Sequence, residues 1–203
     1  MRLFTTPGVC SLACHIALCE SGLSFTAEIV DLRAKTLADG SDYRAINTRG
    51  AVPALEIEPG EVLTEGVAIM QYVAGLAPAA GLAPPVGSLD QARMQEAMNF
   101  IAGELHKTGY GPLFRPGLTE DAKAAQLAII DSKLDWLESL MSDGRAYLVS
   151  SGYTLADGYL FTISGWSKKF GHDLTRFPKV EALRARVAAR PAVQAAMRAE
   201  GMI

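Results

Sequence analysis

Two periods of apolar residues alternate along the first 76 positions. Arg2 to Thr5 and Thr26 to Val30 are short runs of β-favouring residues, and between them Cys10 to Ser21 carries apolar side chains at helical spacing and stops at Gly22. This predicts a β-α-β unit. Pro53 to Ile57 and Val62 to Leu63 flank Glu58-Pro59-Gly60-Glu61, where Pro and Gly supply the dihedrals of a chain reversal, so a hairpin is predicted. A helix over Glu65 to Leu76 follows.

The texture then changes. Pro78, Pro84 and Pro85, with Gly81, Gly87 and Ser88, prevent a regular element from running through the segment, so a linker is predicted over 78–87 between domains at 1–77 and 88–203. Beyond it the period is helical throughout. Met94, Ala97, Met98, Ile101 and Leu105 form one stripe, and Leu127, Ile130, Leu134, Leu137 and Met141 form another, which together predict an all-α bundle. Thr154 and Asp157 have the spacing of a capping box ahead of Tyr159, Leu160, Ile163 and Trp166. Two short helices divided at Pro191 complete the pattern.

Composition narrows the class. A chain of 203 residues with 49% hydrophobic and 20% charged side chains buries a sizeable core, which excludes intrinsic disorder. No apolar run approaches the roughly 20 residues of a membrane span, and Met1 leads into RLFTT without a signal-like segment, so a cytoplasmic protein with no membrane partner is expected. The net charge is −3, with no basic stripe, which argues against nucleic acid. Cys10, Cys14 and Cys19, three thiols crowded on one short segment, fit a reducing compartment. Together with His15, His106 and His172 they make no plausible zinc set, and neither GxGxxG nor a Walker sequence occurs.

Several residues carry candidate chemistry, each with an ordinary alternative. Cys10 follows Thr6-Pro7-Gly8-Val9 at the predicted start of a helix, where backbone N–H groups stabilise a thiolate; the alternative for all three cysteines is a small core hydrophobe. His15 reads as a surface or packing histidine. Val52-Pro53 sits between loop and strand, where a cis bond would turn the Val52 amide and carbonyl outward to pair with an extended peptide; a trans proline opening a strand is the alternative. Glu65-Gly66 opens a helix whose first amides hold a carboxylate while Glu65 takes an ammonium, or simply complements the helix dipole. Asn99, Gly103 and His106 share one face at α-helical spacing, and His106-Lys107 is either a donor pair or a favourable helix end.

Taken together, TPGVCSLACHIAL, DGSDYRAIN, GAVPALEI, EVLTEGVAIMQYVA, GELHK, PLFRP, YTLADGYLFT and ARPAVQAAM resemble a bacterial glutathione S-transferase of the beta class, over nearly the whole chain. The resemblance implies an α/β thioredoxin-like N-terminal domain, with a mixed four-stranded sheet, and an all-α C-terminal domain. It implies glutathione as co-substrate, no metal, and a homodimer. Cys10 is implied beside the glutathione sulfur, Val52 pairing through its backbone ahead of cis-Pro53, Glu65 and Gly66 at the γ-glutamyl head, and Lys35 near the glycine carboxylate. His106 and Lys107 are implied near the thiol, Asn99 and Glu104 as contacts from a dimer mate, and Leu113, Phe114 and Trp166 around the second substrate. Three departures stand out. Gly66 replaces a frequent serine, Thr48 replaces a frequent proline, and the run Thr108 to Gly111 is one residue longer than usual.

The activity implied is conjugation of the glutathione thiolate to a hydrophobic electrophile. Two other readings remain at this stage: a glutathione-dependent thiol-disulfide oxidoreductase or peroxidase working through Cys10, and a non-catalytic binder of hydrophobic ligands.

Overall fold

β1 (Arg2–Thr5) buries Leu3 and Phe4 completely, so both faces of this strand are covered and its place is inside a sheet. The computed structural model, which describes Met1 to Ile203, gives the strand order β2-β1-β3-β4, with β2 at Thr26–Ile29, β3 at Ala54–Glu58 and β4 at Glu61–Thr64. β1 and β2 run parallel, which requires a crossover, and α1 (Leu12–Ser21) supplies it, closing on Gly22 at φ 70°. β3 lies antiparallel to both β1 and β4. Arg2 ties three strands together, reaching Glu56 at 2.9 Å and Glu28 at 3.1 Å. Pro53 stays outside the ladder because it has no N–H to give, so β3 begins one residue later than predicted.

Phe4, Val30, Leu37, Tyr43 and Ala54 form a buried cluster over which Leu32, Ile46, Val52 and Val62 pack. α2 (Gly66–Leu76) packs against α1.

The chain divides into two units, Met1–Leu82 with Ala189–Ile203, and Ala83–Ala188. Within the predicted linker only a single 3₁₀ turn forms, at Pro78–Ala80. The division differs from the sequence reading at the other end: α8 (Pro191–Ala199), expected in the helical domain of 88–203, belongs to the first unit and lies on α1. Arg190 fixes it there through two bonds to the Glu20 carboxylate, at 2.5 and 3.0 Å.

The second unit opens with α3 (Leu89–Phe100), capped by the Ser88 hydroxyl, and continues without a break into a π-helical stretch over Ile101–Tyr110 and a 3₁₀ turn at Gly111–Phe114. Wide turns leave carbonyls to be satisfied differently. Thr108 donates to the Gly103 carbonyl five residues back at 2.8 Å, and Gln126 donates to the carbonyls of Thr108 and Gly109 at 2.8 and 2.7 Å. The π-helical stretch covers Thr108, Gly109 and Tyr110, most of the 108–111 run. α5 (Leu155–Ser164), all ten of whose residues are buried, packs against α3, the π-helical stretch and α7 (Pro178–Ala188), while α4 (Glu120–Leu140) lies on the π-helical stretch and on α7; α6 (Ser167–Phe170) is one short turn. The capping box at Thr154 and Asp157 is formed. Burial pushes the Asp157 carboxyl up to about 6, against the opposing bonds from Leu148 N–H at 2.8 Å and Thr154 N–H at 2.7 Å.

Candidate active site

In the first unit the loop between β2 and β3 is shaped by side chains that hold its carbonyls. Tyr43 Oη and Asn47 Nδ2 both donate to the Ala51 carbonyl, at 2.9 and 2.8 Å, and Lys35 Nζ donates to the Gly50 carbonyl at 2.8 Å. The next peptide, Val52-Pro53, is cis. The Val52 carbonyl accepts from Cys10 Sγ at 3.6 Å, while its N–H has no partner within the chain. This is a half-buried backbone edge with a thiol beside it. Four of the predicted residues thereby meet along one path, Lys35, Val52, Pro53 and Cys10.

Glu65 and Gly66 continue that path. Glu65 is the N-cap of α2 at φ 67°, its carboxylate taken by Arg49 Nη1 at 2.7 Å on the surface, and the first-turn amides of α2 have no helical carbonyl to bond. A Cβ on Gly66 would stand 3.5 Å from Pro53 and 3.7 Å from Cys14 Sγ, so the helix start packs directly on the cis proline. Only two non-glycine residues in the chain have positive φ, Lys35 at 62° and Glu65 at 67°. Both belong to this constellation, and such backbone costs about 1–3 kcal/mol each.

The surroundings of Cys10 correct one expectation. Cys10 precedes α1 and is not its first residue; the amides of Leu12, Ala13 and Cys14 already donate to the carbonyls of Val9, Cys10 and Ser11. The entry turn thus takes up three of the amides nearest the start of α1. Cys14 is completely buried, and its thiol is pushed well above the usual range by that burial and by Cys10. His15 is likewise buried, with Nδ1 3.0 Å from Glu200 Oε1. Burial lowers its pKa, but bonds to Cys19 and Glu200 outweigh that and raise it to about 9. Glu200 also accepts the Gly8 N–H at 3.0 Å and lies 2.9 Å from the Thr5 hydroxyl, which stands 2.8 Å from Ser11 Oγ. The residue after α8 thus secures the turn that carries Cys10.

In the second unit His106 lies half-buried, its ring edge-on to Trp166 at 5.0 Å and Nδ1 3.2 Å from the Tyr159 hydroxyl. Burial and the neighbouring Lys107 lower its pKa to about 4, so it is neutral at physiological pH. Phe114 meets Trp166 edge-on at 5.0 Å and Phe170 at 5.0 Å, with the Lys169 ammonium 4.6 Å over its ring. Leu113 is buried beside this wall while Phe114 is exposed. Lys107 is exposed. Asn99 and Gly103 are exposed too, whereas His106 is half-buried, and the π-helical stretch that carries Gly103 and His106 departs from the α-helical spacing on which their shared face is expected. Glu104 pairs with Lys133 at 2.7 Å.

Sequence reading misses Tyr43, Asn47, Arg49, Tyr159 and Glu200. Arg49 has a faint signal, as a cation in the loop before Gly50. Glu200 has none, because its partner His15 is 185 positions away.

Residues 9–76 match the family model for the glutathione S-transferase N-terminal domain, and residues 109–200 match that for its C-terminal domain. Glutathione S-transferase GstA of Escherichia coli O157:H7 is 44% identical over 202 residues, covering all of both chains. Among solved structures, a sphingomonad glutathione S-transferase complexed with glutathione superposes with a TM-score of 0.93 at 41% identity, covering the whole of both chains. A beta-class enzyme from Sphingomonas chungbukensis gives the same TM-score at 40% identity and the same coverage. The chain belongs to the glutathione S-transferase family, alongside its bacterial beta-class enzymes.

Proposed function

We propose that this glutathione S-transferase conjugates glutathione to hydrophobic electrophiles, with the first unit binding the tripeptide along the path from Lys35 through Val52 to Gly66. The observation that carries this is the coincidence of an unpaired Val52 N–H with the chain's two strained non-glycine residues, Lys35 and Glu65. Val52 offers one donor and one acceptor to an extended peptide, which is β-augmentation. The α2 amides receive a carboxylate, and Glu65 receives an ammonium. Lys35, already turned towards Gly50, serves the second carboxylate. Glutathione supplies the nucleophilic sulfur.

Cys10 is a thiol at the edge where that sulfur would lie, and His106 is a neutral imidazole held by Tyr159. A neutral ring donates a hydrogen bond to a developing thiolate and brings no charge of its own. The apolar wall of Leu113, Phe114 and Trp166 receives the electrophile. Lys107 adds positive charge. Asn99, exposed on α3, and Glu104, half-exposed beside Lys133, serve as contacts in a homodimer.

The position of Cys10 Sγ at the Val52 carbonyl also favours a second activity, thiol-disulfide exchange through a mixed disulfide. One pair of assays separates the two: Cys10→Ala retains conjugation in part and loses disulfide exchange. Loss of both with glutathione affinity intact would make Cys10 the obligatory nucleophile. Titration calorimetry tests the tripeptide site directly, with Glu65→Ala expected to weaken glutathione about tenfold, the effect of ~1.4 kcal/mol for one charged contact.

A further inference from the structure

Behind the aromatic wall of the second unit runs a chain of polar groups that conjugation does not itself require. Tyr110 is fully buried, and its ring is edge-on to Trp166 at 6.0 Å and stacked on Phe170 at 6.3 Å. Its hydroxyl is held from two directions. Ser167 Oγ lies 2.5 Å away, either hydroxyl being able to donate, and Ser167 Oγ also reaches the Ser164 carbonyl at 2.7 Å. On its other side the hydroxyl oxygen lies 3.3 Å from His172 Nδ1. The far nitrogen of His172 meets Asp131 Oδ1 at 2.7 Å, and Arg176 pairs with the second Asp131 oxygen. The ring carrying the contact with Trp166 is therefore fixed at its polar end to α4, to α6 and to the 171–177 loop.

We propose that Tyr110, latched by Ser167 and His172, is a positioning residue that sets the orientation of Trp166 and through it the electrophile preference of the enzyme. The inference rests on the reading of Trp166 as a wall of the electrophile pocket. The physical reason is the stiffness of a packed aromatic cluster: Phe114, Trp166, Phe170 and Tyr110 touch one another in pairs, so a ring that loses its anchor releases its neighbours. A flat aromatic electrophile needs that wall in one orientation, whereas a small aliphatic one is nearly indifferent to it. Glutathione binding, assigned to the first unit, is untouched.

The test uses the full-length enzyme with chlorodinitrobenzene and iodomethane as probes. Tyr110→Phe removes only the hydroxyl; the expected result is a rise of about five- to tenfold in KM for chlorodinitrobenzene, with unchanged KM for glutathione and for iodomethane. In a Trp136→Phe background, where Trp166 is the remaining tryptophan, its emission shifts in Tyr110→Phe. His172→Phe behaves like Tyr110→Phe, and His172→Asn, which returns a polar atom near the Nδ1 position, recovers most of the loss. An unchanged KM and unchanged emission in Tyr110→Phe would overturn the proposal. So would equal losses with both electrophiles, which would mark a merely structural role. Trp166→Ala distinguishes the two levels of argument: if it leaves the chlorodinitrobenzene KM unaltered, the pocket assignment is wrong, whereas a large effect there with none in Tyr110→Phe discards only the latch.

Discussion

Glu65 stands at φ 67° with a full side chain, a conformation that glycine adopts without penalty. Its surface pair with Arg49, both side chains more than half exposed, is worth at most about 1 kcal/mol. Stability therefore gives no reason for a glutamate here, and binding does. Glu65→Gly is expected to raise unfolding stability in urea by up to about 2 kcal/mol, after the lost pair and the extra chain entropy of glycine are subtracted from the relief of strain, while weakening glutathione tenfold or more by calorimetry. Reduced affinity without any gain in stability would mean that the strain is compensated locally. His106 gives a second residue-scale prediction. With a pKa of about 4 it stays neutral above pH 5, so the pH-rate profile carries no inflection from His106 between pH 6 and 9. His106→Ala lowers turnover about 10- to 100-fold with a smaller loss of glutathione binding. An inflection near pH 6.5 that vanishes in His106→Ala would show a solvated, titrating ring instead.

At the scale of elements, the joining of α1 to the segment after α8 rests on a buried pair with a definite pH signature. His15 has a folded pKa of about 9 against an ordinary 6.5, so the native state holds an extra proton between those values. Its stabilisation is fully present below pH 6.5 and is lost as pH rises through about 9. The midpoint of thermal unfolding is accordingly expected to fall from pH 6.5 to 9, and Glu200→Gln, which removes one of the two groups, with Cys19, that hold the proton, lessens that fall. A wild-type midpoint constant over this range would show that the ring does not carry the proton. These same elements mark how far the sequence can be read. β1 and the end of α1 at Gly22 are legible because period and terminator agree, and the Thr154 capping box forms where its spacing predicts it, whereas the caps at Ser88 and Thr119 are not read. The start of α1 is not, since nothing local reports that the Val9 to Ser11 carbonyls take the first amides. The π-helical stretch is hidden as well: Met94, Ala97, Met98, Ile101 and Leu105 are buried as an α-helical stripe predicts, but the widening begins within that stripe.

For the whole molecule, the glutathione path is readable in the sequence because its residues lie in short motifs, while the return of α8 to the first unit and the role of Glu200 depend on contacts between distant segments. Association is a property of two chains, and the second unit offers a specific place to test it. Val86 and Leu89 are 92% and 71% exposed at the N-terminal end of α3, the helix whose far end carries Asn99. Ile129 is 41% exposed one turn before Lys133, which pairs with Glu104. The beta-class resemblance assigns Asn99 and Glu104 to contacts with a dimer mate. Single exposed apolar residues are ordinary on a monomer, so the exposure alone decides nothing and a substitution must. Leu89 is the first residue of α3, where an acidic side chain complements the helix dipole. Leu89→Glu thus leaves the folded monomer intact and loads its cost on association. Light scattering at micromolar concentration is expected to give twice the chain mass for the wild type and a substantial monomer fraction for Leu89→Glu. A monomeric wild type would remove any role for Asn99 and Glu104 across an interface, and a dimer indifferent to Leu89→Glu would place the interface away from the start of α3.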